Sequence, residues 1–261
     1  MLQAMRKYLY ILIAGLALIF GCGSDSGEII GPSNGDGFGD GGDPIGIGGS
    51  TARFTIHGDF LYIVNDSELK AIDIADADDP ILASTTDIGR GIETIYGYKG
   101  NLFIGSQFGM QIFTIGSKGE PIYRSEFTHQ TACDPVIAND KYAYVTIRSG
   151  LGCNNFSFEA NQLIVLDITD LNNPFAVHQE QMINPRGLTF FKGDLFVGEG
   201  ENGLKQYSLD DPANPALKEF HTDIAANDMI GLENTMIVTR NEGIFQFGCV
   251  DDEILLLSPI R

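Results

Sequence analysis

The chain has 261 residues, with 16 Lys and Arg against 35 Asp and Glu, a formal charge of −19. That balance excludes nucleic-acid binding as a main role, because phosphate recognition needs clustered cations that release counterions. A hydrophobic fraction of 43% excludes a wholly disordered chain and is enough to build a core for one large domain or two small ones.

The first element is an export signal over residues 1–21. Arg6 and Lys7 open it, and Tyr8 to Phe20 is an unbroken apolar run, short of the ~20 residues a permanent helical span needs. The run closes on Gly21-Cys22, which resembles the bacterial lipoprotein signal, in which the cysteine becomes the lipid-modified first residue. Phe20 departs from the small or branched residue usual at its position. The resemblance implies lipidation at Cys22 and attachment to the bacterial outer membrane, facing the cell surface or the periplasm. An ordinary secretory signal with an incidental cysteine is the alternative. Cleavage leaves 14 basic against 35 acidic residues, or −21, so the lipid rather than surface charge would hold the protein at an anionic membrane.

Residues 22–50 follow as the lipid cysteine and a flexible tether. Eleven of the 28 residues from 23 to 50 are glycine, too little apolar surface to offset chain entropy. Asp25 and Glu28 give the tether some similarity to surface-export signals of Bacteroidota lipoproteins. Asp36, Asp40 and Asp43 alternate with glycine and make calcium the one cofactor the chain suggests. Their irregular, single-pass spacing favours solvated linker, and no cofactor or metal is expected.

From residue 51 to 261 the chain repeats. Tyr62, Phe103, Tyr144, Phe196 and Ile237 step by 41, 41, 52 and 41 residues. Leu69, Met110, Leu163, Leu204 and Ile244 step in the same way, as do Pro80, Pro121, Pro174 and Pro215, with an insertion of about 11 residues in the third unit. Each unit reads as four short strands. Gly-Asp or Gly-Asn pairs turn the first into the second, glycine precedes the third, and Asp/Pro clusters end the third. Five such units, at about 52–89, 90–130, 131–183, 184–224 and 225–261, predict an all-β fold, a β-propeller of five four-stranded blades of ~41 residues. Closing the ring would rest on burial between the first and last blades.

Leu163-Ile164-Val165-Leu166-Asp167-Ile168 with Asn173-Pro174 resembles the LVIVD repeat of bacterial surface and secreted proteins, and Leu69 to Asp76 and Leu204 to Pro215 follow the same pattern. Unit two lacks the turn aspartate and unit five the proline. The resemblance implies a propeller on a secreted or lipid-anchored protein and carries no catalytic residue.

In such a blade the inter-blade loops and the loops between second and third strands share one face, and here that face holds the variation. It is expected to carry Arg90, Asp134, Arg186, Asn227 and Asp228 from the first set of loops. Gln107, Phe108, Glu199, Glu201, Asn202, Arg240 and Asn241 come from the second, with Arg148, Phe156 and Phe158 on the insertion. Variable loops on a rigid scaffold are where binding sits. Cys133 and Cys153 map to this face and form a candidate disulfide, while Cys249 maps to the opposite face. The expected function is non-catalytic binding of a glycan, a peptide or an envelope protein. The alternatives are a glycosidase or lyase using carboxylates such as Asp134 with Glu199 or Glu201, and a pure scaffold in an envelope complex. No Gly-x-Ser-x-Gly or His-Glu-x-x-His motif is present, and the four histidines fall singly.

Overall fold

The computed structural model describes residues 49–128, 135–148, 161–250 and 253–260. Within them lie twenty strands in five four-stranded antiparallel sheets, each in simple sequential order. Blade 1 contains β1 (Phe54–His57), β2 (Phe60–Val64), β3 (Glu68–Asp73) and β4 (Ile81–Asp87). Blade 2 contains β5 (Ile92–Tyr98), β6 (Asn101–Ser106), β7 (Gly109–Ile115) and β8 (Pro121–Thr128). Blade 3 contains β9 (Val136–Ala138), β10 (Tyr142–Ile147), β11 (Gln162–Asp167) and β12 (Phe175–Gln181). Blade 4 contains β13 (Leu188–Phe191), β14 (Asp194–Gly198), β15 (Leu204–Ser208) and β16 (Ala216–His221). Blade 5 contains β17 (Asp228–Gly231), β18 (Met236–Arg240), β19 (Gly243–Val250) and β20 (Glu253–Ile260). The predicted all-β fold of five four-stranded propeller blades is the observed one. The export signal, Cys22, most of the tether, Asp134, Phe156, Phe158, Cys133 and Cys153 lie outside the described residues. Gly49 and Ser50, read from sequence as the end of the tether, are buried in the packed body.

Local chemistry explains the blades. The hairpin between β5 and β6 turns on Lys99-Gly100, and that between β13 and β14 on Lys192-Gly193, all four with positive φ. Two left-handed central residues match the twist of the flanking strands, and here a lysine takes the position that Asn or Asp usually fills. After the third strands, side chains close the turns. Asp76 Oδ1 accepts from the Asp78 amide at 3.0 Å, Asp170 Oδ1 from Asn172 at 3.0 Å, and Asp211 Oδ1 from Ala213 at 3.2 Å. In unit two Glu120 does this work, its Oε2 accepting from the Lys118 amide at 2.9 Å. The aspartates of the repeat signature are therefore turn-formers.

All five blades carry a bulge at one repeat position, between the third and fourth strands. It falls at Ala71/Ile72, Ile112/Phe113, Val165/Leu166, Gln206/Tyr207 and Gln246/Phe247. A bulge adds local twist, which turns the outer strand away from the plane of the inner three.

Blades stack through one recurring contact. Tyr62, Leu69 and Ala71 of blade 1 pack on Leu102, Ile104 and Phe113 of blade 2. Phe103, Met110 and Ile112 pack on Ala143, Val145, Ile164 and Leu166. Tyr144, Leu163 and Val165 pack on Leu195, Val197 and Tyr207. Phe196 and Leu204 pack on Met236, Val238 and Phe247. Burying each large side chain stabilises by about 1.5–3 kcal/mol. Hydroxyls tie the same seams: Tyr62 donates to the Gly119 carbonyl at 2.8 Å, Ser125 to Leu171 at 2.6 Å and Tyr144 to Pro212 at 2.9 Å, each reaching the turn of the next blade.

The seam between blades 5 and 1 differs. Ile244 stands where Leu69, Met110, Leu163 and Leu204 stand in the other blades. They are 0% exposed and it is 42% exposed. On blade 1 Phe54 is 57% exposed, and Leu61, Ile63 and Ile72, equivalents of the buried Leu102, Ile104 and Phe113, are only partly covered. Among the described residues the two ends meet instead at the axis. There the Ser50 hydroxyl donates to Asp228 Oδ1 at 3.3 Å, the Thr51 hydroxyl donates to Asp228 Oδ2, and the Leu188 amide donates to Ser50 Oγ at 2.8 Å.

Candidate functional site: an axial funnel lined by arginine

The inner strands of all five blades converge on a funnel of about 250 Å³ on the variable face. Its wall is a repeat position. Arg53, Thr94, Pro135 and Gly187 each stand nine residues before the aligned Tyr62, Phe103, Tyr144 and Phe196. The residues just before three such positions, Glu93, Arg186 and Asn227, line it too, with Thr51 and Arg148 completing it. Asp228 occupies the fifth copy of the wall position, and it is held by Ser50 and Thr51. A Cβ at Gly187 would collide with the Asp228 carboxylate, so glycine there permits the close approach of blades 4 and 5.

Three arginines meet in this space. Arg186 is fixed by its backbone: its amide donates to the Gly198 carbonyl at 2.8 Å, and its carbonyl accepts from the Thr146 hydroxyl at 2.6 Å. Its Nε is buried and has no hydrogen-bond partner. Burial and then the adjacent charge of Arg186 push the Arg148 guanidinium below its usual range, with Glu93 opposing both. Glu93 Oε1 accepts from Gln107 Nε2 at 3.3 Å, which draws the funnel's carboxylate toward the β6–β7 turn.

The expected site residues therefore divide. Arg148, Arg186 and Asn227 are brought together in the wall, and Gln107 stands behind it. Arg90 and Phe108 are exposed and do not line the funnel. Glu201, Asn241 and Asn227 form a chain across the face: Asn227 Nδ2 donates to Asn241 Oδ1 at 3.1 Å, and Asn241 Nδ2 to Glu201 Oε1. Asn202 donates from Nδ2 to the Glu199 carbonyl at 3.0 Å. Arg240 lies over the rings of Phe245 and Phe247, 4.5 and 5.1 Å from their centroids, which occupies it in cation–π packing.

Two expectations change. Glu199 is wholly buried rather than displayed. It pairs with Lys205 Nζ at 3.1 Å and accepts the amides of Ile183 and Asn184 at 3.2 and 2.5 Å. Asp228 is a latch for the segment before β1 rather than a free ligand group, and burial pushes its carboxyl up from the usual range. The sequence reading did not single out Thr51, Arg53, Glu93, Thr94, Pro135 or Gly187. The common register of Arg53, Thr94, Pro135 and Gly187 was available to it, at a fixed distance before each aligned aromatic.

Residues 48–87 match the family model of the LVIVD repeat. No curated protein matches the chain. Among solved structures, a protein from Lactobacillus plantarum is similar at TM-score 0.59 and 13% identity, over 77% of this chain and 68% of its own. A functionally unknown protein from Desulfotomaculum acetoxidans is similar at TM-score 0.61 and 12% identity, over 82% and 68%. Apo AztD from Citrobacter koseri is similar at TM-score 0.54 and 14% identity, over 77% and 62%. At these identities the likeness is one of fold.

Proposed function

We propose that the protein is an exported, lipid-anchored binding propeller that captures a ligand or partner in the axial funnel without chemical turnover. The observation that carries this reading is convergence. Residues at one repeat register line it from four blades, the fifth adds Asn227 from the neighbouring position, and the Arg186 and Gly187 backbones are tied across blades by the Thr146 hydroxyl and the Asn227 carbonyl. A preorganised concave site of this kind lowers the ordering cost of binding. The basic start, apolar run and Gly21-Cys22 junction support the anchor, and the glycine-rich segment after it supports display away from the membrane.

The funnel favours binding over the glycosidase or lyase alternative. A two-carboxylate mechanism needs a facing acid pair, and Glu199 is already committed to Lys205 and two backbone amides inside blade 4. Glu201 is drawn into the exposed network with Asn241.

Asn227→Trp should fill the funnel and leave the blades intact. The intact protein in detergent, screened by thermal shift against glycans and peptides, should find a ligand that raises Tm by about 5–10 °C near 100 Kd. The same ligand should leave Asn227→Trp unmoved. An equal shift in the variant would remove the funnel from the account. Cys22→Ser protein should leave the membrane fraction, and its retention there would remove the lipid anchor.

A further inference from the structure

We infer that the funnel is a site for a small organic anion, one that presents a carboxylate or phosphate group to Arg148 and Arg186. This rests on the binding reading above and adds the chemical class of the ligand.

Charge contrast is the first argument. The chain carries −19 overall, yet among the described residues the funnel wall holds three arginines against Glu93 and the hydrogen-bonded Asp228. Acidic residues dominate the turns, so a cationic wall at the axis is a local departure from the rest of the molecule.

Unfinished bonding is the second. The Arg186 Nε is buried with no partner. Two half-buried guanidinium groups line the same funnel, close enough for Arg186 to depress the ionisation of Arg148. A buried donor left unbonded is destabilising, and a repelling pair adds to that. An oxyanion between them relieves both, because the planar guanidinium fork matches carboxylate and phosphate oxygens two at a time. A neutral ligand would leave the repulsion in place, and a cation would increase it.

Size is the third. A volume of 250 Å³ holds about eight waters at ~30 Å³ each, room for one monosaccharide-sized molecule rather than a polymer. Thr51, Thr94 and Asn227 supply neutral polar groups around the remainder of the wall. Bulk electrostatics oppose this ligand, because the acidic surface repels anions at long range. The site must therefore act at contact distance, and raising salt to screen the surface should help association rather than hinder it.

The test is calorimetric titration of the intact protein in phosphate-free buffer with D-glucuronate, D-glucose 6-phosphate and D-glucose, three ligands of one ring that differ in charge. At least one acid should bind about 10-fold or more tighter than glucose. Arg148→Ala and Arg186→Ala should each weaken that acid about 10- to 100-fold. Arg186→Lys should recover little, since a point charge does not replace the fork. The ratio between the two acids decides carboxylate against phosphate. The anion assignment is overturned if glucose binds as well as its acids, if neither acid binds, or if the alanine variants bind unchanged. Asn227→Trp separates the two levels. A ligand lost in Asn227→Trp but kept in the alanine variants leaves the funnel as a binding site and removes the anion. An acid that still binds Asn227→Trp removes the funnel itself.

Discussion

Asp228 carries the clearest conflict between what a residue type suggests and what its surroundings make of it. On an inter-blade loop of the variable face it reads as a ligand group. In the fold it accepts from Ser50 and Thr51 and ties the segment before β1 to blade 5. Burial raises its carboxyl pKa, with the Thr51, Met229 and Ser50 hydrogen bonds opposing. A carboxyl whose native pKa lies above its unfolded value favours the fold when protonated. That contribution is fully present below the ordinary carboxylate range and is lost as pH rises through the raised native value. Asp228→Asn has no such loss. The Tm of the wild type minus that of the variant should therefore fall as pH rises above the ordinary carboxylate range. A difference that rises instead would mean the charged form is the stabilised one. Glu199 teaches the same lesson from a signal that was present. Lys205 sits mid-strand among buried neighbours, and a buried ammonium needs a buried anion; Glu199 at 3.1 Å and Glu180 at 3.5 Å supply it.

At the scale of strands and blades, much was legible. The spacing of Tyr62, Phe103, Tyr144 and Phe196 located the second strands. The four strands expected of each unit are the four observed. The turns were legible in composition but not in register: the lysines at 99 and 192 take left-handed conformations that nothing in their chemistry announces. The recurring bulge was not legible at all, because it leaves no residue signature. Ala71, Ile112, Val165, Gln206 and Gln246 share only their place in the repeat. Leu163 and Ile244 hold equivalent positions on an enclosed and an open face, which makes the seam testable. Leu163→Ala should lose about 2–5 kcal/mol in denaturant unfolding, and Ile244→Ala well under 1. Equal losses would show that the face of blade 5 is covered in solution as the others are.

The whole molecule combines a rigid repeat with an uneven perimeter. Four apolar clusters hold blades 1 to 5 in series, while the faces that end the series keep apolar side chains only partly covered. The latch at Asp228 joins the two ends near the axis, so the funnel wall is complete where the rim is not. The sequence could show five units but not this asymmetry. Terminal and internal units carry similar apolar residues, and only packing distinguishes them. The funnel escaped the sequence reading for a related reason. Its residues vary from Arg53 to Thr94, Pro135 and Gly187, so chemistry conceals a position that geometry shares. This shared register is the proposed binding site. Hydrogen–deuterium exchange of the intact protein with and without a saturating concentration of whichever of D-glucuronate and D-glucose 6-phosphate binds tighter tests it most directly. Protection should gather in peptides covering 50–53, 92–95, 184–188 and 226–228 and be absent from the hairpins at 58–59, 99–100 and 192–193. Protection confined to those hairpins, or to the open faces of blades 1 and 5, would contradict it.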